Sequence, residues 1–200
     1  MTVSFVEVEA SKRSLSMRGK VLGNGVNDSW YITDHTVEGE RLTCPYYRRW
    51  KNMLKRAYHR PYSGITVCKE WLTFSVFREW MEGKGWEGKE LDKDIIKPGN
   101  KEYGPKTCCF VSQHLNKLFG AARGPWPKGV SYSKREGKFK ARCLVDGRGR
   151  ELGGYDTPEG AEEAYKKFKA GQLLLAANGQ DCPVVAEGLK AHARLLEGER

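Results

Sequence analysis

The chain lacks the features that mark exported or membrane-spanning proteins. No apolar run is long enough to cross a bilayer, and the N-terminal stretch MTVSFVEVEASKRS has no apolar core of signal-peptide length. We therefore expect a cytoplasmic protein with no membrane partner. No Cys-x-x-Cys pair occurs among the six cysteines. Reduced thiols are favoured over a structural zinc site, although Cys44, Cys68, Cys108 and a histidine leave such a site open.

Acidic residues are scarce in two stretches of the chain. The 200 residues carry a formal net charge of +10. Residues 41–60 hold seven Lys and Arg with no acid, and residues 128–150 hold eight against two acids. Residues 151–200, by contrast, are net acidic. Clustered positive charge favours a nucleic-acid partner over a merely soluble basic protein.

Two amphipathic helices are predicted in the first half, after an irregular arm over residues 1–43 that contains a short strand at 30–35. The first helix begins near Pro45, with Thr43 as a possible cap, and its apolar stripe includes Tyr47 and Trp50. The second lies within 70–86 and has an aromatic stripe. The polar back of the first helix is basic and either is solvated or contacts phosphates; it carries Arg48, Lys51 and Lys55.

The second half predicts a small sheet with a helix on one side. A Gly- and Pro-rich linker at 120–128 precedes strands at 129–133, 138–145 and 150–155, with a hairpin signal at Asp146-Gly147. Thr157 caps a helix that begins at Pro158, and a final short helix follows in the tail. Alternation in the second strand separates apolar side chains from cations, so one sheet face would be positively charged.

Such a cationic face has the width to enter a DNA major groove. The side chains predicted to contact DNA from this region are Lys128, Ser131, Ser133, Lys134, Arg135, Lys138, Lys140, Arg142 and Arg148. Double-stranded DNA is the expected partner. RNA is less favoured, because its A-form major groove is too narrow for a rigid sheet.

The segments KGVSYSKREGKFKARCLVDG and LGGYDTPEGAEEAYKKF resemble the DNA-binding domain of the plant Apetala/ethylene-response-factor family. The resemblance implies a three-stranded antiparallel sheet packed on one helix. It also implies that Lys128, Ser131, Ser133, Arg135, Lys140 and Arg142 face DNA. Positions where the plant domains favour Arg and Trp hold Ser131, Ser133 and Arg135 here, so the resemblance assigns no base specificity.

A pair of acids is a second candidate site. Asp92 and Asp94 are two residues apart in a predicted strand, so both would point to one face and could hold Mg²⁺ or Mn²⁺. Two ordinary surface acids paired with lysines are the alternative. A strand, a turn at 98–100, a second strand at 107–111 and a helix beginning near Ser112 would make a compact β–turn–β–α unit.

Most of the stretch over residues 20–120 resembles the HNH-type endonucleases of bacteriophages, many of them homing enzymes. Its elements TCPYYRRWKNML, LDKDI and GNKEYGPKTCCFV occur in the family's order. The resemblance implies a ββα-metal fold in which Asp92 and Asn116 are metal or structural residues. Together with Asp94 from the carboxylate pair, they are the predicted metal ligands. Lys93 stands where the family has its catalytic histidine, so the family's general base does not carry over. His114 is the nearby imidazole, and it is either a substitute base or a packing or surface residue.

These observations predict an α+β protein of several parts. They are an arm over 1–43, an HNH-like nuclease domain over 44–119, a linker over 120–128, an Apetala-like domain over 129–178 and a tail over 179–200. The predicted function is site-specific, metal-dependent DNA cleavage, with Asp92, Lys93, Asp94 and His114 as catalytic candidates. The alternative is a catalytically inactive DNA-binding protein derived from such a nuclease.

Overall fold

The computed structural model describes residues 4–59, 64–120, 124–145 and 147–198, and it is a mixed α+β structure with six α-helices in that part of the chain. The mixed class agrees with the sequence-based expectation. Internal contacts divide the chain into two units, Met1–Glu87 with Asn100–Phe110, and Gly88–Gly99 with Val111–Arg200. No helix among the described residues is long and apolar enough to cross a membrane.

The first unit begins with a short helix and a β-hairpin. Helix α1 covers Lys12–Ser16, and strands β1 (Asp34–Val37) and β2 (Glu40–Thr43) pair antiparallel. Glu38 and Gly39 both have positive φ at the turn, which matches the twist of a tight hairpin. The hairpin was not predicted, and the strand expected over 30–35 overlaps β1 only at its end.

Helix α2 (Pro45–Tyr58) agrees with the prediction. Pro45 occupies the first turn, but the N-cap is Cys44 and makes no side-chain capping bond, so the expected Thr43 cap is wrong. The predicted stripe is buried at Tyr47, Trp50, Met53 and Leu54. The indole N–H of Trp50 donates to the Trp71 carbonyl at 2.7 Å, which ties α2 to the segment after it.

The second predicted helix is split in two. A 3-10 turn (Glu70–Leu72) is followed by α3 (Phe74–Glu82), with Thr73 extended between them. The break forms because the backbone around Thr73 bonds to Val26 instead of continuing the helix. Short strands β3 (Thr66–Val67) and β5 (Glu102–Tyr103) pair parallel in the same unit.

Elements of the predicted β–turn–β–α region are present. They are β4 (Glu90–Asp92), β6 (Cys109–Val111) and α4 (Gln113–Lys117). Ser112 caps α4, because its hydroxyl oxygen accepts from the Leu115 N–H at 3.2 Å. In the second unit α4 packs against β4. Strand β4 ends at Asp92, so the expectation that Asp94 lies on the same strand is wrong.

A three-stranded antiparallel sheet forms the main part of the second unit, as predicted. Its strands β7 (Val130–Ser133), β8 (Lys138–Val145) and β9 (Arg148–Tyr155) pair in sequence order, with a bulge between Ala141 and Arg142. Asp146, part of the predicted hairpin signal, lies outside the described residues, as do 121–123 of the predicted linker.

Helix α5 (Pro158–Asn178) covers one face of this sheet. Thr157 caps it as expected, accepting from the Gly160 N–H at 3.1 Å. Val130, Ala141 and Cys143 of the sheet pack against Ala161 and Tyr165 of α5. Helix α6 (Pro183–Glu197) packs on α5 and is the predicted tail helix.

Candidate nucleic-acid interface and the Asp92 turn

The sheet face that α5 leaves uncovered carries the predicted DNA-contacting side chains of strands β7 and β8. We call it the open face. Alternation along β8 places Lys138, Lys140 and Arg142 there, because Ala141 and Cys143 between and beside them are buried under α5. The register places Ser131 opposite Lys140 and Ser133 opposite Lys138. The structure therefore brings together five of the nine predicted residues on one surface.

Two of the open-face lysines are held by carboxylates. The Lys140 ammonium lies 2.5 Å from Glu136 Oε2 and 2.9 Å from Glu151 Oε1. These hydrogen bonds raise the pKa of Lys140 and, with Arg135, lower that of Glu136, so both groups stay charged. Lys138 lies 2.9 Å from Asp156 Oδ1. Their charge is therefore partly neutralised within the protein.

Arg142 differs from these lysines. Its side chain is exposed and makes no hydrogen bond or ion pair with the residues that the structure describes. Lys134 and Arg135 lie in the turn between β7 and β8, where Arg135 pairs with Glu136 at 3.3 Å. The guanidinium most available to an anion on the open face is that of Arg142.

Lys128 and Arg148 do not lie on the open face. The Lys128 ammonium donates to the Leu118 carbonyl at 3.4 Å, beside the buried Lys169, which donates to the same oxygen at 2.8 Å. Burial lowers the pKa of Lys128. Both lysines satisfy a carbonyl at the C-terminal end of α4. Arg148 pairs with Val145, which places it on the side of the sheet that α5 covers.

The basic back of α2 is exposed in the first unit. Arg48, Lys51 and Lys55 all face solvent, and no acid occurs in the helix. The Lys51 ammonium lies 5.9 Å from the centroid of the Tyr47 ring. This surface has the charge expected of a phosphate contact, and its geometry is that of an ordinary amphipathic helix.

Asp92 is buried and acts on its own backbone. Its Oδ1 accepts the N–H groups of Asp94 at 2.7 Å and Ile95 at 2.8 Å, which closes a tight turn after β4. Desolvation raises the pKa of the Asp92 carboxyl, and the two backbone N–H groups act in the opposite direction. Asp92 as a whole residue is 5% exposed. We call this feature the Asp92 turn.

Lys93 gives the Asp92 turn its charge balance. The buried Lys93 ammonium lies 2.5 Å from Asp94 Oδ1. A divalent ion fits this arrangement poorly, because Asp92 Oδ1 already accepts two N–H groups and the ammonium of Lys93 occupies the carboxylate of Asp94. In the described part of the chain, no three His, Cys, Asp or Glu side chains are grouped as a metal site. Mg²⁺ or Mn²⁺ binding therefore stays a prediction.

The two remaining predicted site residues lie on α4. His114 is exposed and Asn116 is half-buried. All six cysteines are free thiols.

An imidazole that the sequence did not predict lies beside the Asp92 turn. His192 of α6 has its Nε2 2.8 Å from the Asp94 carbonyl oxygen, so this nitrogen carries the proton and donates. Its ring packs edge-on against Phe119 at 4.7 Å. The tail helix had given no functional signal, because nothing in the sequence pairs residues 94 and 192.

Gly188 of α6 explains this approach. A Cβ at position 188 would collide with the Ile95 carbonyl, so glycine lets α6 pack directly against the backbone of the Asp92 turn. Together, Asp92, Lys93 and His192 make this turn a satisfied, partly buried polar cluster. When the chain is compared with models of known protein families, with curated proteins and with solved structures, none of them matches it.

Proposed function

We propose that this protein binds double-stranded DNA through the open face of its C-terminal sheet. The observation that carries the proposal is the asymmetry of that sheet: α5 covers one face with an apolar core, while Lys138, Lys140 and Arg142 line the other. An antiparallel ribbon is narrow enough to enter a major groove. The motif order shared with the Apetala family points to the same surface.

Electrostatics supports a polyanionic partner. The guanidinium of Arg142 makes no hydrogen bond or ion pair with the described residues, and Lys134 and Arg135 extend the positive charge along the β7–β8 turn. Ser131 and Ser133 provide hydroxyl groups that are suited to phosphate contacts. The exposed back of α2 is a second basic surface that is suited to contacts with the phosphates of DNA.

The test is the salt dependence of binding to a fluorescent 30-base-pair duplex, measured by anisotropy on the full chain. Each lost phosphate contact should reduce the slope of log K against log salt by roughly one unit. We expect Arg142→Gln to weaken binding, and Lys167→Gln, on the exposed side of α5, to leave it unchanged. Equal effects of both variants would count against the open face as the binding surface.

A second candidate function is metal-dependent DNA cleavage, as HNH-type endonucleases perform. What favours it is the motif order and the pairing of Asp92 with Asp94 within one turn. In that case Asp92, Asp94 and Asn116 would serve the metal, with His114 or Lys93 near the reacting phosphate. The contacts of Lys93 and Asp92 count against it, so we rank it below DNA binding.

Cleavage is tested with supercoiled plasmid carrying phage genomic DNA. The protein is incubated with Mg²⁺ or Mn²⁺ and compared with an EDTA control and with Asp92→Asn, which keeps the acceptor oxygen of the turn. Metal-dependent nicking that disappears in Asp92→Asn would establish the enzyme. Intact plasmid, together with duplex binding in the anisotropy assay, would leave DNA binding as the function.

A further inference from the structure

The third strand of the sheet offers an acid to the open face. The register pairs Glu151 with Arg142, Gly154 with Lys140 and Gly149 with Leu144. Arg150 faces the other way, and its guanidinium lies 5.2 Å from the Phe168 ring of α5. Leu152 and Tyr155 pack against the core beneath the sheet. Within β9, all of which the structure describes, Glu151 is therefore the side chain presented to the open face.

The two glycines keep the surroundings of Glu151 open. A Cβ at Gly154 would lie 3.5 Å from the Lys140 ammonium, and one at Gly149 would lie 3.1 Å from Cδ of Arg142. Without those side chains, Lys140 extends over Gly154 to the Glu151 carboxylate, and Arg142 extends over Gly149. Glu151 is thus paired with Lys140, lies opposite Arg142 in the register, and keeps its side chain 50% exposed.

Lys140 fixes the position of that carboxylate. Its ammonium lies between Glu136 and Glu151, at 2.5 and 2.9 Å, and is itself only 21% exposed. A side chain held in this way keeps its geometry when a ligand approaches. Because Glu136 and Glu151 neutralise it, Lys140 positions Glu151 more than it attracts phosphate.

We propose that Glu151 is a specificity-determining residue that reads the amino group of a cytosine in the major groove; this inference rests on the proposed DNA binding. A carboxylate accepts hydrogen bonds and repels phosphate, so it adds nothing to backbone affinity. Cytosine presents N4 as a donor with no acceptor beside it, whereas the adenine amino group lies next to the N7 acceptor. A carboxylate therefore favours cytosine.

Arg142 completes the reading unit. Cross-strand neighbours have Cβ atoms about 5 Å apart, and successive base pairs are separated by about 3.4 Å. The guanidinium can then donate to O6 and N7 of a guanine while Glu151 accepts from a cytosine in the same or the adjacent pair. At any other base, the carboxylate would be desolvated without a donor, which disfavours that sequence.

The experiment selects bound duplexes from a library with a randomised core, using the full chain. Wild type should enrich cytosine at one position, with about tenfold discrimination. Glu151→Gln should move that preference to adenine, since an amide pairs with both N6 and N7 of adenine. Glu163→Gln on the exposed side of α5 makes the same charge change and should keep cytosine. Circular dichroism confirms that each variant folds.

The outcomes separate the two proposals. Duplex binding with identical base preferences in wild type and Glu151→Gln would overturn the role of Glu151 and leave DNA binding standing. The role of Glu151 would also be overturned if the cytosine preference weakened equally in Glu151→Gln and Glu163→Gln and neither variant preferred adenine. No enrichment of any duplex by wild type would overturn the proposed function, and this inference with it.

Discussion

At the residue scale, Asp92 is predicted from sequence to be a metal ligand, and in the structure it accepts hydrogen bonds from its own turn. The pattern Leu-Asp-Lys-Asp predicts paired carboxylates on a strand, and a metal site follows from that expectation. In the structure the strand ends at Asp92, whose Oδ1 accepts two backbone N–H groups. Those bonds require the carboxylate to point back at its own turn, so the residue has a structural role whatever else it does.

The structural role of Asp92 leads to a stability prediction. Asp92→Ala leaves two buried N–H groups without their acceptor, and we expect it to lower the free energy of unfolding by about 2–4 kcal/mol. Asp92→Asn keeps an acceptor oxygen and should cost far less. The measurement is urea unfolding at pH 7, with Asp181→Ala, at an exposed position, as the control. Equal stability of Asp92→Ala and Asp181→Ala would contradict the turn assignment.

The stability difference between wild type and Asp92→Asn should depend on pH. Burial raises the pKa of Asp92 in the folded state, so the folded protein takes up its proton at a higher pH than the unfolded chain does. Wild type should therefore gain stability relative to Asp92→Asn as the pH falls through that raised pKa. Unfolding free energies of the two proteins between pH 7 and pH 4 test the sign, and a difference that moves the other way would contradict it.

The sequence predicted which face of the sheet a side chain lies on more reliably than it predicted which residue that side chain contacts. Alternation in β8 correctly placed Lys138, Lys140 and Arg142 away from the core. It gave no sign that Glu151 would contact Lys140, because that contact depends on the register of β9 and on the bulge after Ala141. Lys128, which is predicted to contact DNA, bonds to the Leu118 carbonyl, a contact made by tertiary packing that the sequence did not indicate.

At the scale of elements, long periodic segments were predicted well, whereas some short ones were missed. Helix α2 has a strong apolar stripe, both α2 and α5 have a proline in the first turn, and both helices occur where expected. The β1–β2 hairpin has only four residues a strand and a Glu-Gly turn, which is a weak signal. The break at Thr73 arises from bonds to Val26, far away in sequence.

Replacing either of two helical glycines by alanine should change stability in opposite directions. Gly188→Ala would force α6 away from the Ile95 carbonyl, and we expect it to destabilise the second unit by about 1–3 kcal/mol. Gly171→Ala, in α5 where a Cβ meets open space, should stabilise by about 0.5–1 kcal/mol. Thermal unfolding of both variants decides, and a loss of stability in both would show that helix propensity and space do not explain these positions.

At the scale of the whole molecule, the partner prediction depends on the distribution of charge in the sequence. The net charge of +10 indicated a polyanion, and its two clusters indicated where to look. The structure distributes the second cluster over both sides of a sheet: Arg142 lies on the open face, whereas Lys128 and Arg148 lie on the other side. Local counts of charge overestimate a binding surface for this reason.

The central claim is that DNA contacts the open face, and an NMR titration of the labelled full chain with a duplex tests it most directly. We expect the largest amide shifts at Ser131, Ser133, Lys140, Arg142 and Glu151, with small changes along the exposed side of α5. Large shifts confined to α5 and α6, or no shifts at duplex excess in low salt, would contradict the account.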